Sequence, residues 1–439
     1  MVNNMRDLRV VLAHLQALKA KFESLLEAAR SKTTHAGVAP ARPPTRLREM
    51  TGFSANPGNL RMFAYAPQHL PPGAPLVIAL HGCTQTADEY DYGTGWSSLA
   101  DELGFAVLYP QQQPTNNPRN CFSWFLPDDV ARGQGEVRSI REMVEHAITT
   151  FDADRGRVFV TGLSAGGAMA SVMLATYPEL FAGGAIIAGL PYGFASNVQQ
   201  AFELMFTAQG HGAEVLGDRV RGASRHRGPW PKISVWHGSS DPIVQSSNGE
   251  DIVRQWTNVH KLAECPSYQE LIGSHTRRVW NDANGQALIE AFSISGMAHG
   301  VPLATTGGES CGAAGAFFLD VGISSTHYIA RFWQLDECLV VIPRAASTRS
   351  PAIQIPAEGR GLVLVGAPAA GSHSSAEGSQ NQRRQTQYPL DPNAVIAAAF
   401  RTAGLPVPEI PTLPPGATPR VTPGPIIAAA LKAARRLSN

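Results

Sequence analysis

Near the start of the chain, apolar residues recur by threes and fours at Leu8, Val11, Leu15, Leu18, Phe22, Leu25 and Ala29. That spacing gathers them into one stripe and predicts an amphipathic helix within residues 1–35. The repeat is that of a heptad, yet its span is short for a coiled coil. The stripe therefore suits a helix docked on its own protein, or one that serves dimerisation or a polymer surface. SKTTHAGVAPARPPTR follows and reads as a Pro-rich linker covering 36–49.

From residue 50 to about 342 the pattern changes. APLVIALHG, FAVLYP, RVFVTG and KISVWHG are short β-branched runs that end in glycine or proline. Between them lie helical stretches such as GEVRSIREMVEHAITTF. Strands alternating with helices predict an α/β fold, a mostly parallel sheet with helices on both faces. RRVWNDANGQALIEAFSIS differs: Asn284-Gly285 between two alternating runs predicts a hairpin near the end of the sheet. Residues 191–230 carry few strand signals and read as an insertion able to cover a site. Beyond residue 343 the chain turns rich in Pro, Ala, Gly and Ser, with basic residues exceeding acidic ones. This composition predicts a largely disordered tail, residues 343–439. Two short Ala-rich helices are expected in it, DPNAVIAAAFRTA from Asp391 and TPGPIIAAALKAA from Thr422, each opened by a capping residue and an early proline.

Charge narrows the functional classes. Lys plus Arg number 36 against 35 Asp plus Glu, so the basic excess expected of a nucleic-acid binder is missing. No apolar run approaches the roughly 20 residues of a membrane span. The N-terminal stretch lacks the apolar core and cleavage site of a secretory signal. Five cysteines, Cys83, Cys121, Cys265, Cys311 and Cys338, cannot all pair within one chain.

The chemistry is concentrated in VTGLSAGGAMA. Gly162-Leu163-Ser164-Ala165-Gly166 fits G-x-S-x-G between a predicted strand and a predicted helix. A serine on so sharp a turn needs small neighbours, which Gly162, Ala165, Gly166 and Gly167 supply. The helix that follows aims its free N–H groups at the reacting oxygen. A serine hydroxyl also needs a base, and the base an orienting acid. Among thirteen histidines, His299 in SISGMAHGVPL follows the last strong strand and sits in a glycine-flanked loop, which makes it the candidate base. His237 is read as shaping its turn, whereas His260 and His275 lack a strand-end context. Asp241, just beyond KISVWHG, is the candidate acid; Asp282 in the hairpin and Asp251 in a helix are the alternatives. The oxyanion hole requires two donors. Ala165 N–H supplies one, and Cys83 N–H, in the loop after PLVIALHG, is the other candidate. Cys83 is either a buried thiol or bonded to Cys121, which would brace that loop against NCFSWF and imply an oxidising compartment. Of the nearby aromatic residues, Trp124 and Tyr90 are expected to line the substrate cleft.

LHGCTQTADEY, NCFSWF, VTGLSAGGAMA, WHGSSDPIV, GMAHGVPL and AFFLDVGISST occur in this order. Together they resemble the polyhydroxybutyrate depolymerase-type esterases, α/β-hydrolases related to feruloyl and acetylxylan esterases, over residues 50–340. The resemblance implies a serine esterase with Ser164, Asp241 and His299 as its triad and Cys83 and Ala165 at the oxyanion hole. It implies acyl transfer on an ester or polyester, with no metal or organic cofactor. Poly(3-hydroxybutyrate) or its oligomers are the expected substrate; a feruloyl or acetylxylan-type ester, or a non-catalytic polymer-binding role, are the alternatives. GMAHG carries alanine where the family usually has a second glycine. An extracellular location follows from the resemblance, and a cytoplasmic one from the missing signal peptide.

Overall fold

A computed structural model describes residues 2–31, 43–207 and 210–336. The tail, with the helices expected from Asp391 and Thr422 and with Cys338, lies outside the described residues. The strands, in chain order, are β1 (Arg48–Met50), β2 (Arg61–Tyr65), β3 (Leu76–Leu80), β4 (Ala106–Gln111), β5 (Val158–Leu163) and β6 (Gly183–Ile187). They continue as β7 (Lys232–Gly238), β8 (Tyr268–Ile272), β9 (His275–Asn281), β10 (Ala287–Ile294), β11 (Val301–Leu303) and β12 (Phe318–Asp320). The helices are α1 (Val2–Ser31), α2 (Ala87–Thr94), α3 (Trp96–Leu103), α4 (Pro127–Val130) and α5 (Gly135–Phe151). They continue as α6 (Ala165–Thr176), α7 (Val198–Phe206), α8 (Ala213–Gly222), α9 (Ser247–His260) and α10 (Ser325–Phe332).

Ten strands form one sheet in the order β1-β2-β4-β3-β5-β6-β7-β10-β9-β8. Its centre, from β4 to β10, is parallel, and an antiparallel pair closes each edge. Strands β3, β4, β5 and β6 are buried at every position, because helices cover both faces of a parallel sheet and leave no side for water. Edge strand β8 is mostly exposed. The expected hairpin joins β9 to β10, with Gly285 in the left-handed region at φ 80°. Asp282 accepts the N–H groups of Asn284 and Gln286 there. That carboxylate serves the turn and no distant base.

The linker ends earlier than its composition suggests. Leu47 is buried and Arg48–Met50 pair antiparallel to β2, so the folded unit begins before residue 50. Three residues give no readable periodicity; edge pairing with β2 recruits them. Helix α1 docks on its own protein, with Phe22 and Leu26 buried and Leu18, Leu25 and Ala29 partly covered. The insertion at 191–230 is helical, supplying α7 and α8 between β6 and β7. No described helix is long and apolar enough to cross a membrane.

Chain order reverses around β3, whose neighbours are β4 on one side and β5 on the other. Leu80 at the end of β3 lies opposite Gly162 near the end of β5. Open α/β sheets place ligands outside the carboxyl ends of strands at such a reversal. The loops after β3, β5, β7 and β10 all leave from that rim.

Candidate active site

Ser164 joins β5 to α6 with φ 57° and ψ −118°, a conformation that non-glycine residues adopt only under strain. Its N–H donates to Ile187 O at 2.9 Å, and its carbonyl accepts Ala168 N–H at 2.8 Å. The surrounding glycines are required by more than the turn. A Cβ on Gly166 would collide with the carbonyl oxygens of Leu80 and His81, and one on Gly162 with the backbone of Gly166. Helix α6 thus starts hard against the end of β3. No hydrogen bond of the described residues engages the Ser164 hydroxyl. Such bonds are often long without substrate and tighten when it binds.

His299 and Asp241 meet beyond β10 and β7, where Ile294 lies opposite Gly238. His299 Nδ1 stands 2.7 Å from Asp241 Oδ2, and both side chains are almost wholly buried. Asp241 Oδ1 accepts Ile243 N–H at 2.8 Å and Val244 N–H at 2.9 Å, which leaves the carboxylate little freedom. Burial works to raise the Asp241 pKa, but the His299 and His237 rings outweigh it and hold the carboxyl well below its usual range. A Cβ on Gly238 would strike the carbonyls of Met297 and Ala298, so that glycine lets the His299 loop approach β7. Gly300 plays the same part against the Phe317 carbonyl.

Helix α6 leaves its first N–H groups without intrahelical acceptors, Ala165 N–H among them. Cys83 and Ala165 line one cavity with Ser164. The loop of Cys83 is fixed on several sides. His81 Nδ1 lies 2.8 Å from Gly82 O, and Gln112 N–H donates to His81 Nε2 at 3.1 Å. Burial lowers the His81 pKa to about 4, in keeping with a neutral ring that donates at one nitrogen and accepts at the other. Cys83 is bonded to Cys121, which ties the loop after β3 to the segment carrying Trp124. Glu136 Oε2 accepts Ser123 N–H at 2.8 Å from that same segment, and burial raises its pKa to about 7. Cys265 is an exposed thiol and Cys311 a buried one.

The cavity beside Ser164 measures about 350 Å³ and is mostly apolar. Trp124 lines it, edge-on to Phe125 at 5.1 Å between ring centres. Tyr90 does not line it. Its side chain is fully buried in α2, facing Phe318 rather than the cleft, because its turn of that helix points inward. The other walls are Phe202 and Met205 of α7, within the insertion at 191–230, together with Leu190, Val244, and Phe22 of α1. The sequence marks the insertion and the stripe of α1 but singles out none of these residues as a wall, because neither signal says what its face touches.

The remaining candidates have other partners. Asp251 pairs with Arg254 on α9. His260 Nε2 lies 3.0 Å from Pro231 O, and His275 Nε2 3.0 Å from Val321 O. His237 Nε2 is 2.9 Å from Val244 O and 3.4 Å from Asp241 Oδ2, so it shapes its turn and also faces the carboxylate. Among the described residues, no group of three or more His, Cys, Asp or Glu is arranged to hold a metal ion.

Known proteins share this arrangement of sequence. Residues 63–269 match the family described as esterase PHB depolymerase. The chain is 47% identical over 289 residues to poly(3-hydroxyalkanoate) depolymerase C of Paucimonas lemoignei, covering 65% of this chain and 70% of that protein. It is 36% identical over 276 residues to an acetylxylan esterase of Coprinopsis cinerea, covering 60% and 71%. Feruloyl esterase B of Thermothelomyces thermophilus is 34% identical over 220 residues, covering 48% and 75%. Among solved structures, acetyl xylan esterase from Aspergillus awamori aligns with a TM-score of 0.54 at 28% identity, over 58% of this chain and 93% of that one.

Proposed function

The chain belongs to the PHB depolymerase family of esterases, carboxylic ester hydrolases of the serine type, and we propose that Ser164, His299 and Asp241 carry its acyl transfer. His299 takes the Ser164 proton through Nε2 while Asp241 holds Nδ1–H and fixes the tautomer. Ser164 Oγ attacks the ester carbonyl, and the negative oxygen is met by the N–H groups of Cys83 and Ala165. Imidazolium returns its proton to the leaving alcohol; water, deprotonated by the same ring, then frees the acid. The observation that carries this reading is the buried 2.7 Å contact of His299 with Asp241, on the same rim of the sheet as a serine held at positive φ.

The substrate we favour is a poly(3-hydroxyalkanoate) or its oligomers, supported by the 47% identity to a protein named for that activity. A carbohydrate-borne acetyl or feruloyl ester is the second reading, supported by the other relatives and by Trp124 in the cleft. Contact with a polymer surface, or self-association, through α1 would use the face turned away from Phe22 and Leu26. Co-sedimentation with polyhydroxybutyrate granules and sizing chromatography read those two roles.

Ser164→Ala assayed on p-nitrophenyl butyrate tests the chemistry. Turnover should fall to background; near-parental turnover removes the proposed nucleophile, whereas a parental protein with no turnover leaves the polymer-binding role as the alternative. Granules of polyhydroxybutyrate and methyl ferulate, offered in parallel to the parental protein, separate the two substrate readings by which acid is released.

A further inference from the structure

Helix α1 lies outside residues 63–269, which carry the family match, yet it reaches the cleft. Phe22 is 8% exposed, and its ring centre stands 5.5 Å from that of Phe202 on α7. Both rings line the cavity that holds Ser164. The helix is fastened on two sides of this cavity. On one, Lys21 Nζ sits 4.2 Å over the Phe206 ring. On the other, Glu23 faces Arg119 at 3.6 Å, and Arg30 donates to Thr84 O at 3.1 Å. Arg119 and Thr84 belong to the two segments that the Cys83–Cys121 bond joins. Helix α1 therefore bridges α7 and the loop after β3, and Phe22 is the apolar residue it inserts between them.

We propose that α1 forms a wall of the ester cleft and that Phe22 sets the length of acyl chain the enzyme accepts. The inference rests on Ser164 being the nucleophile. A cavity of about 350 Å³ is at the small end of ligand sites and suits a short acid or the end of a soluble oligoester. An acyl group bound to Ser164 and extending toward α7 runs into Phe22. Each additional methylene then needs room that the ring occupies, and one methylene in an apolar pocket changes selectivity about tenfold or more.

The test uses the full chain and p-nitrophenyl esters from acetate to octanoate, with the ratio of kcat/KM for octanoate to that for acetate as the readout. Phe22→Ala should raise this ratio about tenfold, and Phe22→Trp should lower it. A merely structural role would move both variants the same way or neither. Because a ratio is read, partial loss of folded protein does not obscure the result, and thermal melts confirm that both variants fold. If Phe22→Ala fails to fold, Phe22→Leu takes its place with the same direction expected. Ratios unchanged within about twofold of the parental value, or shifted together, overturn the assignment while an inactive Ser164→Ala leaves the nucleophile intact. An active Ser164→Ala instead overturns the reading beneath it.

Discussion

At the scale of single residues, the site depends on atoms that are missing as much as on those present. Gly166 has no Cβ where two carbonyl oxygens of the neighbouring strand end approach. Gly166→Ala should destabilise the fold by about 1–3 kcal/mol through overpacking, visible as a lower Tm, with activity falling because Ala165 N–H is displaced. A parental Tm would show that α6 can shift without cost. Asp241→Asn keeps the shape but exchanges an acceptor of His299 Nδ1–H for an amide, so the ring can adopt the wrong tautomer. The expected loss in kcat is on the order of 10⁴-fold, as for the corresponding change in a serine protease. Far smaller losses would point to another orienting acid. That Asp241 and His299 could be singled out from sequence follows from their place just after strand-like runs, where side chains reach the rim. Tyr90 was misplaced because nearness in sequence to a motif says nothing of the direction a helical side chain takes.

Among elements, β3, β4, β5 and β7, though not the β6 strand that opens Gly183-Gly184, were legible because buried strands read as continuous apolar runs, and the hairpin because Asn-Gly fixes its turn. β1 was not, since three residues pair only through the partner that recruits them. The stripe on α1 predicted a helix but not its neighbour: periodicity reports that a face is apolar, never what covers it. The Cys83–Cys121 bond was one of two open alternatives, because spacing in sequence does not settle distance in space. It closes a loop with a sequence separation of 38, for which chain entropy gives up to about 4 kcal/mol. Cys121→Ser should therefore lower stability and also loosen both Cys83 N–H and Trp124. A fall in kcat/KM for p-nitrophenyl butyrate of up to about 10²-fold is expected, and the parental protein treated with reductant should follow it. Unaltered turnover in both would mean the two loops hold their places without the bond.

For the whole molecule, two buried groups near the rim pull stability in opposite directions as the pH changes. His81 is lowered from 6.5 to about 4, so the unfolded chain takes up its proton first and stability is lost as pH falls from about 6.5 to 4. Glu136 is raised from 4.5 to about 7, so the folded chain takes up its proton first and stability is gained as pH falls from about 7 to 4.5. Each amounts to roughly 3 kcal/mol when complete, and across the shared window they largely cancel. Glu136→Gln removes this offsetting carboxyl and leaves the loss from His81 less opposed. Denaturant unfolding between pH 7 and 4.5 should then show a steeper acid loss than in the parental protein; equal slopes would mean that Glu136 titrates normally.

The contact between Phe22 and Phe202 has a consequence for how the enzyme is made. Six strands lie between those two rings in the chain. On a ribosome, α1 emerges long before its seat on α7 exists, and loop closure over so great a separation comes late. Phe202 nonetheless precedes Asp241 and His299 in the chain, so on the reading proposed above the seat for Phe22 is synthesised before the acid and base that would activate Ser164.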